Sequence, residues 1–95
     1  MIAIALHAGS PEIRNAITNL IVSCKWAYWH WIDDFWIVQA PDSVTPKTLN
    51  EAISSLPRAN GTTILVFEIK PDFTFWGNAH PDAWIWMSHI GRPSN

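Results

Sequence analysis

The chain has 95 residues, is 48% apolar and carries a net charge of −2. This length suits one domain, 1–95, which would bury only about two-thirds of its unfolded surface. The six basic residues are scattered, so the sequence lacks the electrostatic signature of a strong nucleic-acid binder.

Cysteine content and hydropathy indicate the compartment. The single cysteine, Cys24, excludes an internal disulfide and fits a reducing environment. The N-terminus lacks the basic region and cleavage site of a signal peptide, and no stretch approaches the ~18 apolar residues of a membrane span. We therefore expect a cytoplasmic protein with no membrane partner.

The first two elements are a strand and a helix. Residues 1–8 alternate bulky and small side chains, which is the period of a strand. Ser10-Pro11-Glu12 then supplies an N-cap, a proline for the first helical position and an acid for the first turn. The apolar spacing that follows predicts a helix over about 11–24, with Cys24 as its last buried position.

Residues 26–40 predict a β-hairpin with Asp33-Asp34 as its two-residue turn. Simple pairing about this turn would place four apolar side chains on one face: Trp29, Trp31, Trp36 and Val38. The other face would carry Tyr28, His30, Ile32, Phe35, Ile37 and Gln39. Because neither face is polar, this sheet needs cover on both sides.

A second helix and a fourth strand complete the first 70 residues. Thr45-Pro46 and an i, i+3, i+4, i+7 apolar stripe predict a helix over 46–56, and β-branched residues predict a strand over 62–70. The resulting order is that of an α+β, ferredoxin-like βαββαβ sandwich, with 1–70 as its core. We expect these side chains towards the helices: Ile2, Ile4, Leu6, Leu65, Phe67 and Ile69. We expect these on the open face: Ala3, Ala5, His7, Ile64, Val66 and Glu68.

Residues 71–95 form an aromatic C-terminal extension. His80-Pro81-Asp82 and Gly91 supply helix start and stop signals, which favour a helix over 81–90, although the W-I-W-M alternation also fits a short strand. Either element could cover the open face of the sheet or reach a second subunit.

Three polar residues are candidate catalytic groups: His7, His30 and Glu68. All three could lie on the open face, where two imidazoles and a carboxylate could ligate a metal or form a base with its orienting acid. The structural alternative is buried histidines hydrogen-bonded to the backbone or to a carboxylate. Asp33 and Asp34 are explained by the turn, and no metal or cofactor motif is present, so we predict no cofactor.

Six tryptophans are candidate binding residues: Trp29, Trp31, Trp36, Trp76, Trp84 and Trp86. They could form core, a base-stacking platform or a protein interface. Stacking on nucleic acid usually accompanies a cationic groove, which this sequence does not supply. Core plus homodimer interface is favoured, because one small domain cannot bury so much aromatic surface.

The hairpin run W-H-W-I-D-D-F-W-I-V, 29–38, resembles the W-H-x-L-D-S-x-W-x-V hairpin of the small bacterial proteins often labelled SinR-family. The strand over 64–69 and the A-W-I-W-M of 83–87 extend the resemblance over most of the chain. Those proteins look similar in plan to the ferredoxin-like small subunit of the CRISPR adaptation complex and to VapD-type ribonucleases, which are homodimers.

The resemblance implies a fold and a dimer more than a reaction. Relatives that cut nucleic acid carry a metal-binding aspartate near the end of the first strand, where this chain reads Leu6-His7-Ala8-Gly9. Neutral His7 cannot replace a carboxylate around magnesium. We expect a non-enzymatic, homodimeric protein-interaction module, with a phage-defence or counter-defence setting implied only by the resemblance. The alternative is a metal-dependent nuclease or nucleotide-binding protein using the open sheet face.

Overall fold

The computed structural model describes residues 1–70 and 72–94. Its elements are β1 (Ile2–His7), α1 (Pro11–Ser23), β2 (Ala27–Ile32), β3 (Phe35–Gln39), α2 (Pro46–Ser54), β4 (Thr63–Glu68), β5 (Thr74–Phe75), α3 (Pro81–Ile90) and β6 (Arg92–Pro93). The predicted order of strands and helices up to residue 70 is confirmed. The helix prediction for 81–90 is also confirmed.

Four of the strands form one antiparallel sheet in the order β2-β3-β1-β4. Helices α1 and α2 pack on one face of it and bury the main core. The core side chains are Ile2 and Ile4 from β1, Trp36 and Val38 from β3, Ile13, Ile17 and Ile21 from α1, and Leu49 and Ile53 from α2.

Local signals set the helix boundaries. The Ser10 side chain accepts a hydrogen bond from the Ile13 N–H at the start of α1, and Thr45 and Thr48 form a reciprocal capping box at the start of α2. Helix α1 ends at Ser23, and the residue that caps it, Cys24, is exposed and not buried as predicted, because the chain leaves the helix at Lys25.

The predicted faces of β4 are wrong. Antiparallel partners share a face, and Ile4 pairs with Val66 while Leu6 pairs with Ile64, so Ile64 and Val66 point towards the helices. Leu65 and Phe67 lie on the other face, 60% and 39% exposed. A one-residue change of register exchanges the two faces of a strand, and a strand apolar on both faces does not specify its register by pattern alone.

The predicted hairpin register holds only at its end. Ile32 pairs with Phe35 across the predicted turn, but a bulge lies between Trp29 and Ile32, and Trp29 pairs with Ile37. Trp29 and Trp36 consequently lie on opposite faces. Neither Asp33 nor Asp34 has a positive φ, so the turn is not of type I′ or II′, the types whose twist matches that of the strands. The bulge increases the local right-handed twist of the hairpin instead.

The extension builds a second core on the open face. Trp29 and Ile37 of the sheet and Ala83 and Met87 of α3 are buried there together, and β5 pairs in parallel with β6 beside them. Ile69 packs here as well, not towards α1 and α2 as predicted. Within residues 1–70 and 72–94, no helix has the length and hydropathy needed to cross a membrane.

Candidate binding cleft

A cleft of about 310 Å³ lies between the hairpin and the extension, and we call it the aromatic cleft. Trp29 and Phe35 from the sheet and Met87 from α3 contribute to it and belong to the second core. The remaining lining residues are Trp31, Ile32, Phe75, Trp76, Gly77, Asn78, Ala79 and Trp84. The cleft therefore exists only where the extension meets the sheet.

Hydrogen bonding and ring packing position the inner part of the cleft. The Trp29 Nε1–H donates to the Ala83 carbonyl at 2.8 Å, which joins β2 to the first turn of α3. The Trp29 and Phe35 rings meet edge to face at 6.4 Å, and the Phe75 and Trp84 rings stack at 5.7 Å. These contacts hold the inner aromatic rings in place without a ligand.

The outer part of the cleft is open to solvent. Trp76 is 78% exposed and Trp31 is 49% exposed, although both rings are large and apolar. Trp31 also stacks on His80, with ring centroids 5.7 Å apart, and the His80 side chain caps α3 by accepting from the Asp82 N–H. At the rim, Trp31 is therefore held against the start of α3, whereas most of the Trp76 ring remains exposed to solvent.

A second cavity of about 270 Å³ adjoins the cleft and shares Phe75, Trp76, Gly77 and Trp84 with it. Ser88 and Pro93 complete its lining. Within the described part of the chain, the residues that line either cavity include no aspartate, glutamate, lysine or arginine. The pair of cavities therefore suits an uncharged group.

The structure brings together four of the six predicted binding tryptophans: Trp29, Trp31, Trp76 and Trp84. Trp36 is fully buried between the sheet and the helices, where its Nε1–H donates to Thr18 Oγ1 at 3.1 Å. Trp86 is half-buried against the second core and lines neither cavity. Sequence reasoning missed Phe35 and Phe75, whose role depends on the bulge and on the docking of the extension.

The three candidate catalytic residues are not brought together. His7 pairs with Thr63 and Glu68 pairs with Ile2, so they lie at opposite ends of the β1-β4 ladder, about 17 Å apart along the strands and on opposite faces. The His30 ring stacks on Trp36 at 4.3 Å, and its Nδ1–H donates to the Phe35 carbonyl at 2.9 Å. Among the described residues, no three His, Cys, Asp or Glu side chains are grouped to hold a metal.

Asp34 has a structural contact beyond its place in the turn. Its Oδ1 accepts from Arg14 Nε at 2.9 Å and its Oδ2 accepts from the Gly9 N–H at 3.3 Å. The hydrogen bond from Arg14, followed by that from Gly9, lowers the pKa of the Asp34 carboxyl. The hairpin turn is thereby joined to the β1–α1 loop and to α1.

No family model, curated protein or solved structure matches this chain. The family resemblance of the hairpin, and the dimer that it implies, therefore stay predictions.

Proposed function

We propose that this protein is a protein-interaction module whose aromatic cleft receives an apolar, preferably aromatic, side chain of a protein partner. The observation that carries the proposal is the exposure of Trp76 and Trp31 beside a cleft of about 310 Å³. Fully burying one such side chain contributes about 1.5–3 kcal/mol before the costs of association. Tryptophan is also enriched among the residues that dominate binding energy at protein interfaces.

The lining supports an uncharged ligand of limited size. A buried charge needs a partner, and neither cavity is lined by a charged side chain of the described residues. Drug-sized ligands usually occupy roughly 300–1,000 Å³, so a cleft at the lower end of that range suits one or two side chains. Ring faces and edges from Phe35, Phe75 and Trp84 would favour another aromatic ring over an aliphatic chain.

The proposed fold plan is ferredoxin-like. Support comes from the strand order β2-β3-β1-β4 and from two helices, α1 and α2, packed on one face. In such a plan the second face of the sheet has no helix of its own. The extension covers the β2-β3 half of that face and creates the cleft at its boundary.

The test is an NMR titration with N-acetyl-tryptophanamide, followed through the seven tryptophan indole N–H signals. We expect the signals of Trp31, Trp76 and Trp84 to shift in a saturable way. The indole N–H of Trp36 is hydrogen-bonded in the main core and should not move, so it is an internal reference. N-acetyl-leucinamide should produce smaller shifts, and N-acetyl-lysinamide none.

Two alanine variants provide the matched comparison. Trp76→Ala should weaken the titration at least about fivefold, since it removes a rim ring, while the overall spectrum is retained. Ile85→Ala changes another exposed apolar residue, on α3, that lines neither cavity, and it should titrate like the parent protein. Shifts that are absent, or identical in both variants, would rule out the cleft as the binding site.

A further inference from the structure

The outer edge of β4 presents unpaired backbone groups. β4 is the last strand of the sheet, and in its register with β1 the Ile69 N–H donates to the Met1 carbonyl at 2.8 Å. Because backbone groups alternate in direction along an antiparallel strand, the odd-numbered residues of β4 bond to β1. The N–H and C=O groups of Ile64, Val66 and Glu68 therefore point outwards. Within residues 1–70 and 72–94, no backbone hydrogen bond outside the ladders reaches them.

The two edges of the sheet differ in how they are protected. β2, at one edge, is interrupted by the bulge between Trp29 and Ile32. β4 pairs regularly with β1 over six residues and contains no proline or lysine, the residues that most often block edge pairing. It also carries the exposed apolar side chains of Leu65 and Phe67. Of the two edges, β4 is therefore the one whose unpaired backbone groups can pair with another strand.

We propose that β4 pairs antiparallel with β4 of a second copy of this chain, about a two-fold axis at Val66. Val66 then faces Val66 of the second copy, and Ile64 faces its Glu68, which gives roughly six backbone hydrogen bonds. On the open face, Leu65 lies directly opposite Phe67 of the second copy. Each copy therefore covers the apolar side chains that the other exposes, and the two sheets become one.

Charge and hydrogen bonding favour this register over two alternatives. An axis at Glu68 would place two carboxylates opposite each other, which is destabilising. An axis at Leu65 would require the N–H of Thr62, which already donates to the Ala59 carbonyl at 3.1 Å. The axis at Val66 avoids both penalties.

The size of this contact sets its strength. Two six-residue strands bury less than the roughly 1,200 Å² of a stable interface, so the dimer should dissociate on dilution, in the micromolar range. Sedimentation velocity across a dilution series should show this equilibrium.

Glu68→Pro tests the edge directly. It removes the outward N–H of Glu68 and leaves the bonds of β4 to β1 intact, and it should weaken dimerisation about tenfold or more. Glu68→Ala removes the charge but keeps the donor, and should dimerise like the parent chain. A chain that is monomeric at every concentration, or two variants with equal dimerisation, would overturn the proposal.

Cross-linking tests the register. In a Cys24→Ser background, an oxidised mixture of Leu65→Cys chains and Phe67→Cys chains should form a mixed disulfide dimer, because facing residues here lie about 4.5 Å apart between Cα atoms. Neither variant alone should cross-link efficiently. Cross-linking of Leu65→Cys with itself would overturn the axis at Val66. Glu68→Pro should still bind N-acetyl-tryptophanamide, so failure of the dimer and failure of the cleft are distinguishable.

Discussion

At the scale of single residues, Asp34 connects three parts of the chain through one carboxylate. It lies in the hairpin turn, pairs with Arg14 of α1 and accepts from Gly9 of the β1–α1 loop. The fit is close, since a Cβ on Gly9 would lie 2.7 Å from Asp34 Oδ1. Asp34 therefore fixes the hairpin relative to the first helix.

We expect Asp34→Asn to lower the thermal unfolding midpoint at pH 7, because an amide cannot form the charged pair with Arg14. The pKa of Asp34 is lowered in the folded protein, so its contribution is present above its ordinary value near 3.9 and is lost as the pH falls through the lower folded pKa. The difference from the parent protein should thus be constant above about pH 5 and shrink as the pH falls below the ordinary pKa of an aspartate.

The measurement is circular dichroism melting from pH 2 to pH 7. Asp33→Asn is the control, since Asp33 is the exposed neighbouring turn residue, and it should follow the parent curve. A difference for Asp34→Asn that stays the same size from pH 7 to pH 2 would contradict the assignment.

At the scale of secondary-structure elements, the C-terminus of α1 contains a strained residue. Lys25 has a φ of 59°, and its backbone N–H donates to the Val22 carbonyl, while the Trp26 N–H donates to the Ile21 carbonyl. This is the Schellman arrangement, in which the position of Lys25 is usually glycine because a Cβ is disfavoured at positive φ.

We expect Lys25→Gly to stabilise the protein by about 1 kcal/mol, since glycine adopts this conformation without the steric cost. For a chain of this size the thermal midpoint should rise by roughly 4–8 °C. Lys25→Ala loses the same charge but keeps the Cβ, so it should give no comparable gain. An equal effect of both variants would show that the charge, and not the backbone, is responsible.

The elements themselves could largely be predicted from the sequence, but their faces could not. Ser10-Pro11 and Thr45-Pro46 mark helix starts through local hydrogen bonds, which act over three residues and can be read from the chain. The bulge before Ile32 and the choice of which β4 side chains face the helices both depend on which residues of neighbouring strands pair with each other. Because both faces are apolar, the sequence pattern does not distinguish them, and the proposed site at His7, His30 and Glu68 depended on that distinction.

At the scale of the whole molecule, one sheet supports two cores of unequal size. The larger is closed by α1 and α2, and the smaller depends on the extension, which is held by Trp29 Nε1 and by a close contact at Gly91. A Cβ on Gly91 would lie 2.7 Å from Phe73 Cε2 and 3.0 Å from the Phe73 carbonyl oxygen. The extension, and with it the cleft, should open independently of the larger core.

We expect Gly91→Ala to release the extension without unfolding the sheet and the first two helices. Hydrogen exchange should accelerate at the Trp29 indole N–H and across α3, while the amides of Ile4 and Trp36 keep their protection, and N-acetyl-tryptophanamide should no longer bind. Gly77→Ala is the matched control, because its Cβ would lie 3.4 Å from Trp84 Cη2, an ordinary contact, and exchange there should stay as in the parent protein. Equal acceleration in the main core would mean that the two cores unfold together, and the cleft could then not open or close while the rest of the molecule stays folded.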